Sequence, residues 1–169
     1  MKTANRPAGK AERKLADFLC FAVYSANLAF GKAYKPLLDE LGLTYTQYIA
    51  IIALWEDGSQ TVSSLAEKLF LESNTVTPIL KKLEEAGYVL RKRDARDERQ
   101  VIVSLTDAGR ALREKGFGIS LIQSTGLGSE EFRVIQAAVA SLRDNLIRAT
   151  QEKAAPARAA RRPISTRSA

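Results

Sequence analysis

A mainly α-helical chain with one small β-hairpin is the fold class predicted by these 169 residues. Three observations carry it. Apolar residues recur in steps of three and four along most of the sequence, the period of a helix with one buried face. Gly42, Gly58 and Gly87 stand where such runs stop, as expected of residues that close a helix. Two short β-rich runs, YVLRKR and QVIVSL, flank the charged link DARDER.

In chain order, residues 15–34 form a helix with Leu15, Leu19, Ala22, Val23, Ala26, Ala29, Phe30 and Ala33 on one stripe. Pro36 is expected to end it or to open a second short piece, PLLDELG. The run TYTQYIAIIALWEDG is a second apolar helix, closed by Asp57 and Gly58. In TVSSLAEKL, Thr61 is the N-cap, and Val62, Leu65 and Leu69 face inward. SNTVTPILKKLEEAG puts Val76, Ile79, Leu80 and Leu83 on one face. Pro78 requires that helix to begin near Ser73 to Thr75, so that the proline falls within about the first turn. The two-stranded hairpin follows, too small to stand without a helical body beneath it. Thr106 caps TDAGRALREKG, a glycine-broken segment runs from Gly116 to Gly128, and Ser129 with Glu130 and Glu131 opens the last helix. Its narrow seam of Phe132, Ile135, Val139, Leu142 and Leu146 suits helix packing between subunits. The organisation expected is a basic disordered N-terminus (1–14), N-terminal helices (15–58), a lobe of short helices and hairpin (59–105), C-terminal helices (106–150) and a basic disordered tail (151–169).

Composition narrows the chemistry. With 46% apolar residues the chain can bury a core of ordinary size. No run approaches the roughly eighteen apolar residues of a membrane span, and MKTANRPAGKAE lacks the apolar core of a secretory signal. A cytoplasmic protein with no membrane partner is expected, in which the lone Cys20 stays reduced. Histidine is absent, so neither a Cys/His zinc site nor a histidine-based triad can form; no metal or cofactor is expected and no enzyme is predicted. The net charge of +7 belongs mostly to the two ends, because the body between residues 14 and 153 carries 16 basic and 18 acidic groups. Seven of those 16 fall between Lys81 and Arg99, and that cluster is the informative one.

Two short helices joined by a tight turn and followed by a basic hairpin make a winged helix-turn-helix, a reader of double-stranded DNA. Ser73, Asn74, Thr75, Thr77 and Pro78 lie in the N-terminal part of the second helix, where small groups can approach base edges and phosphates. Lys81 and Lys82 further along, and Arg91 and Arg93 on the hairpin, supply positive charge. Arg96 and Arg99 sit at the protruding tip, shaped for a narrow minor groove. Asp97, two residues before Arg99, is placed to hold it by a paired contact.

The segment DARDERQVIVSLTDAGRAL resembles the wing and following helix of the MarR family of dimeric bacterial transcription regulators. LCFAVYSANLAFGKAYKPLLDELGLTYTQYIAIIALWE and LFLESNTVTPILKKLEEAGYV are similar to the organic-peroxide sensors of that family, the OhrR group. The resemblance spans roughly residues 15–148 and implies a homodimer built from the terminal helices, with two winged lobes on adjacent major grooves of a pseudo-palindromic operator. Asn74 departs from the glycine common at that place in the group, and the arginine-rich tail is also unusual.

Helical geometry bears on Cys20 separately. At about 100° per residue, Cys20, Tyr24, Asn27, Gly31 and Tyr34 share a stripe off the main apolar seam, which sets the thiol one turn from the Tyr24 phenol. The resemblance further implies that Tyr34 and Tyr45 lie close to the reactive thiol across the dimer interface. On that reading an organic hydroperoxide enters an apolar pocket around Phe18, Phe21 and Tyr45 and oxidises Cys20. No resolving cysteine exists, so a small thiol completes the switch that releases DNA and derepresses a gene. Two alternatives stand beside it: a MarR-type repressor switched by a phenolic or other aromatic ligand at the dimer cleft, with Cys20 structural, and a thiol peroxidase that binds no DNA.

Overall fold

The computed structural model describes residues 14–116 and 125–159. The chain divides into two compact units, residues 1–119 and 120–169.

A single 3-10 turn, Leu15–Asp17, precedes α1, which runs from Leu19 to Leu41. The predicted break at Pro36 does not occur. Proline removes one backbone donor, but the carbonyl it leaves unbonded belongs to exposed Lys32, and the residues that follow are anchored: Leu37, Leu38 and Leu41 are buried in the core. Gly42, at φ 64°, turns the chain out of the helix, with the Leu43 N–H returning to the Leu38 carbonyl at 2.9 Å. Thr44 opens α2 (Tyr45–Asp57) by a reciprocal box: its hydroxyl accepts from the Gln47 N–H, and the Gln47 side chain accepts from the Thr44 N–H.

β1 is only Gln60–Thr61, and Thr61 also caps α3 (Val62–Lys68), its hydroxyl accepting from Ser64 N–H at 3.0 Å. α4 spans Ser73–Glu85. Pro78 is thus the sixth helical residue, in the second turn rather than the first. The carbonyl deprived of a donor is that of exposed Asn74, which can turn to solvent.

β2 (Val89–Arg93) and β3 (Val101–Leu105) form the predicted hairpin, paired from Val89 with Leu105 to Arg93 with Val101. The sheet has a third strand that the sequence did not foretell. β1 adds to the other edge of β3, Gln60 opposite Val103, giving the order β1-β3-β2. α5 (Asp107–Gly116) begins at Thr106, whose hydroxyl lies 3.0 Å from the Gly109 N–H and 2.7 Å from the Gly87 carbonyl. Gly109 is required there, since a Cβ would stand 2.1 Å from the Tyr88 carbonyl oxygen.

Ile51, Leu54, Leu65, Val76, Leu80, Leu83 and Val103 are completely enclosed and make the centre of the core. Each contributes about 1.5–3 kcal/mol through burial, enough to seat three short helices on the sheet. The predicted glycine-broken segment lies mostly outside the described residues. α6 runs from Ser129 to Ala159, continuing as helix past residue 150, where a disordered tail was expected. Residues 160–169 and 1–13 are outside the described set. Among the described residues no helix is long and apolar enough to cross a membrane.

Candidate nucleic-acid interface and thiol site

α4 is amphipathic in the strict sense: Val76, Leu80 and Leu83 are buried, while Ser73, Asn74, Thr75, Pro78, Lys81 and Lys82 are exposed. Its start has no side-chain cap, so the free N–H groups of the first turn remain available beside exposed hydroxyls. Thr77 is half-buried and donates its hydroxyl to the Ser73 carbonyl at 2.7 Å, tightening the helix start.

The wing tip is shaped by two aspartates acting on the main chain. Asp94 Oδ1 accepts from the Arg96 N–H at 2.9 Å, and Asp97 Oδ1 accepts from the Arg99 N–H at 3.1 Å. The predicted Asp97–Arg99 side-chain pair is therefore not formed. A two-residue separation lets the carboxylate close on the nearer backbone donor, and Asp97 Oδ2 is taken by the Gln100 amide at 3.0 Å. Among the described residues no ion pair holds Arg96 or Arg99, and both are exposed. Arg93 donates to the Glu98 carbonyl at 3.1 Å. Arg91 differs from the rest: it is bound to Glu84 of α4 and only 17% of its side chain is exposed.

Cys20 is exposed and is the second residue of α1, at an end where Phe18 offers no side-chain cap. Negative charge is favoured on the first turn of a helix. Tyr24, one turn on, is exposed, with its ring 6.4 Å from Phe21. Tyr34 and Tyr45 do come together, ring centroids 5.2 Å apart, and a third phenol, Tyr48, lies 5.9 Å from Tyr34. Burial pushes Tyr34 up to about 12, with Tyr45 and Tyr48 adding to the shift. Tyr48 is raised for the same reasons, burial first and Tyr45 second. This cluster does not meet the thiol in one chain: Tyr34 lies fourteen positions after Cys20 on α1, about 21 Å along the helix. The pocket expected around Phe18, Phe21 and Tyr45 is split in the same way.

The family of SarA/Rot transcriptional regulators matches residues 32–115. The organic hydroperoxide resistance transcriptional regulator of Bacillus subtilis (strain 168) is 40% identical over 135 residues, covering 79% of this chain and 92% of the relative. The chain belongs to the MarR family of transcriptional regulators. Members of this MarR/OhrR type are DNA-binding proteins and not enzymes. Reduced AbfR bound to DNA, from a protein of Staphylococcus epidermidis, superposes with a TM-score of 0.66 at 38% identity, covering 79% of this chain and 94% of that one. A MarR mutant of E. coli complexed with operator DNA shares the fold at 22% identity and a TM-score of 0.67, over 73% of this chain and 92% of its own.

Against that MarR framework, three residues of consequence escaped sequence reasoning. Tyr48 had a signal, standing three residues after Tyr45 on one helix, but reads as ordinary core. Glu84 looked like one more charge on a solvated face. Gly109 carries no sequence mark, because its need arises from the Tyr88 carbonyl approaching from another element.

Proposed function

We propose that this regulator is a homodimeric repressor that releases its operator when Cys20 is oxidised by an organic hydroperoxide. The observation that carries the reading is the exposed Cys20 in the uncapped first turn of α1, to one side of a stripe of exposed apolar residues: Leu15, Leu19, Val23 and Phe30. Such a stripe is the face a second copy would cover. A partner chain brings its own Tyr34 and Tyr45 to the thiol. The exposed seam residues Ile135, Val139 and Leu146 of α6 suit the same role in dimerisation.

In each lobe α4 enters a major groove and the wing arginines track the backbone or minor groove, with half-sites about 34 Å apart. The thiolate attacks the peroxide oxygen, the O–O bond breaks, and with one proton the products are an alcohol and Cys20 sulfenic acid. A low-molecular-weight thiol then condenses with the sulfenic acid, forming a mixed disulfide and water. The added bulk disrupts the phenol contacts across the interface and shifts the lobes out of register with the half-sites.

A gel-shift titration on DNA upstream of the protein's own gene tests this, before and after cumene hydroperoxide with a small thiol. Tight binding that is lost on oxidation is expected, while Cys20→Ser binds equally well and ignores the peroxide. Consumption of about one peroxide per Cys20 identifies a sensor. Binding that persists under oxidation, or many turnovers per thiol, sinks the proposal.

A further inference from the structure

One arm of the Arg91 guanidinium is already engaged by a carboxylate. Its backbone N–H donates to Glu84 Oε1 at 3.2 Å and its Nη1 to Oε2 at 3.3 Å, so one carboxylate in the last turn of α4 grips both the main chain and the side chain of β2. The Nε is buried and has no partner among the described residues, which leaves Glu84 as the one anion that holds this cation. Beside it lies a cavity of about 200 Å³ lined by Thr61, Ser63, Thr77, Arg91, Arg99 and Gln100. The start of α3, the middle of α4 and the base of the wing all meet at this point. Arg96, by contrast, stands exposed at the tip of the same hairpin, and Arg99, which is also exposed, reaches from the tip segment to the rim of this cavity.

We infer that Arg91 is a positioning residue for DNA reading and not a phosphate ligand: through Glu84 it locks the wing to α4, so that Arg96 and Arg99 arrive in register with Asn74 and Thr75. A hairpin of two five-residue strands is a weak lever alone. Its aim depends on what ties its base to the helix. The inference rests on the DNA-binding reading above.

The two roles predict opposite signs. If Arg91 touched phosphate, Glu84 would compete for it; Glu84→Gln would tighten DNA binding, and Arg91→Gln would lower the slope of log affinity against log salt by about one per contact. If Arg91 positions the wing, Glu84→Gln and Arg91→Gln each weaken binding roughly tenfold. The salt slope then stays at the wild-type value, and the double variant is no worse than either single one. Arg96→Gln serves as the direct-contact control and should reduce the slope. Because Glu84→Gln leaves a largely buried cation unpaired and could unfold the lobe, the uncharged double replacement Glu84→Gln with Arg91→Met gives the decisive measurement in that event. With native helix content it should still bind about tenfold more weakly at an unchanged slope. Tighter binding by Glu84→Gln, a reduced slope for Arg91→Gln, or wild-type affinity in the Gln/Met double variant overturns the inference. A wild-type protein that fails to bind the DNA at all refutes the reading under Proposed function instead.

Discussion

The lobe formed by α2 to β3 and the N-terminal half of α1 are opposite kinds of structure in one chain. In the lobe, seven large side chains are sealed from water and two helices begin at threonine caps. In the first half of α1, apolar residues are equally regular yet exposed: Leu19 is 62% accessible and Val23 40%. No side chain caps the helix start there. The lobe seals its own core, whereas the first half of α1 presents an apolar face that is exposed among the described residues. The contrast predicts that stability separates into a part independent of protein concentration, set by the lobe, and a part that rises with concentration as a second copy covers α1.

Core truncation gives the largest expected effect. Leu80→Ala should cost about 2–5 kcal/mol, seen as a lower urea midpoint, with the same loss at every protein concentration. Val23→Asp should leave the lobe's own packing intact but abolish the concentration dependence of the melting temperature that a dimer requires. Analytical ultracentrifugation then reports a monomer. A concentration-independent loss for Val23→Asp as large as that for Leu80→Ala would erase the distinction between the two regions.

A smaller change sharpens the same contrast. Thr61→Ala removes the hydroxyl that accepts from the Ser64 N–H and should cost about 1 kcal/mol. Chemical denaturation at two protein concentrations should show the same decrement. A cap effect that grew with dilution would mean that α3 depends on the partner chain.

These contrasts also explain what the sequence could and could not disclose. Thr61, Thr106, Gly42 and the α4 stripe were legible because caps and helical periodicity act over three to five residues. The continuous α1 was not: Pro36 looks like a stop, and only the burial of Leu37, Leu38 and Leu41 against other elements holds the helix through it. β1 is two residues long and has no periodicity to read; it exists because β3 offers it an edge. Among the arginines, the local charge pattern marked a basic hairpin but could not separate Arg91 from Arg96 and Arg99. That difference is made by Glu84, seven residues away in sequence and across a turn. The pairing of Tyr34 with Tyr45 was named through family resemblance, whereas its third member, Tyr48, emerges only from how α1 crosses α2.

The tyrosine cluster lies where α1 passes from its exposed half to its buried half, and its titration tests how the two regions join. In the folded chain Tyr34 keeps its proton to about pH 12 because burial disfavours the phenolate. In an unfolded chain it loses the proton near pH 10. Below about 10 both states are protonated and the group adds no pH dependence. Between about 10 and 12 the unfolded state sheds a proton that the folded state retains, so stability falls as pH rises. After allowance for solvent screening the loss should amount to between a few tenths and about 1 kcal/mol. Tyr34→Phe should therefore lose less stability than the parent across that window in urea titrations, the difference cancelling lysines common to both proteins. If the difference is the same at low and high protein concentration, the cluster belongs to the self-contained part of the chain. If it appears only at high concentration, a second chain supplies the burial that holds the proton, and the phenols lie on the interface through which oxidation of Cys20 is proposed to act.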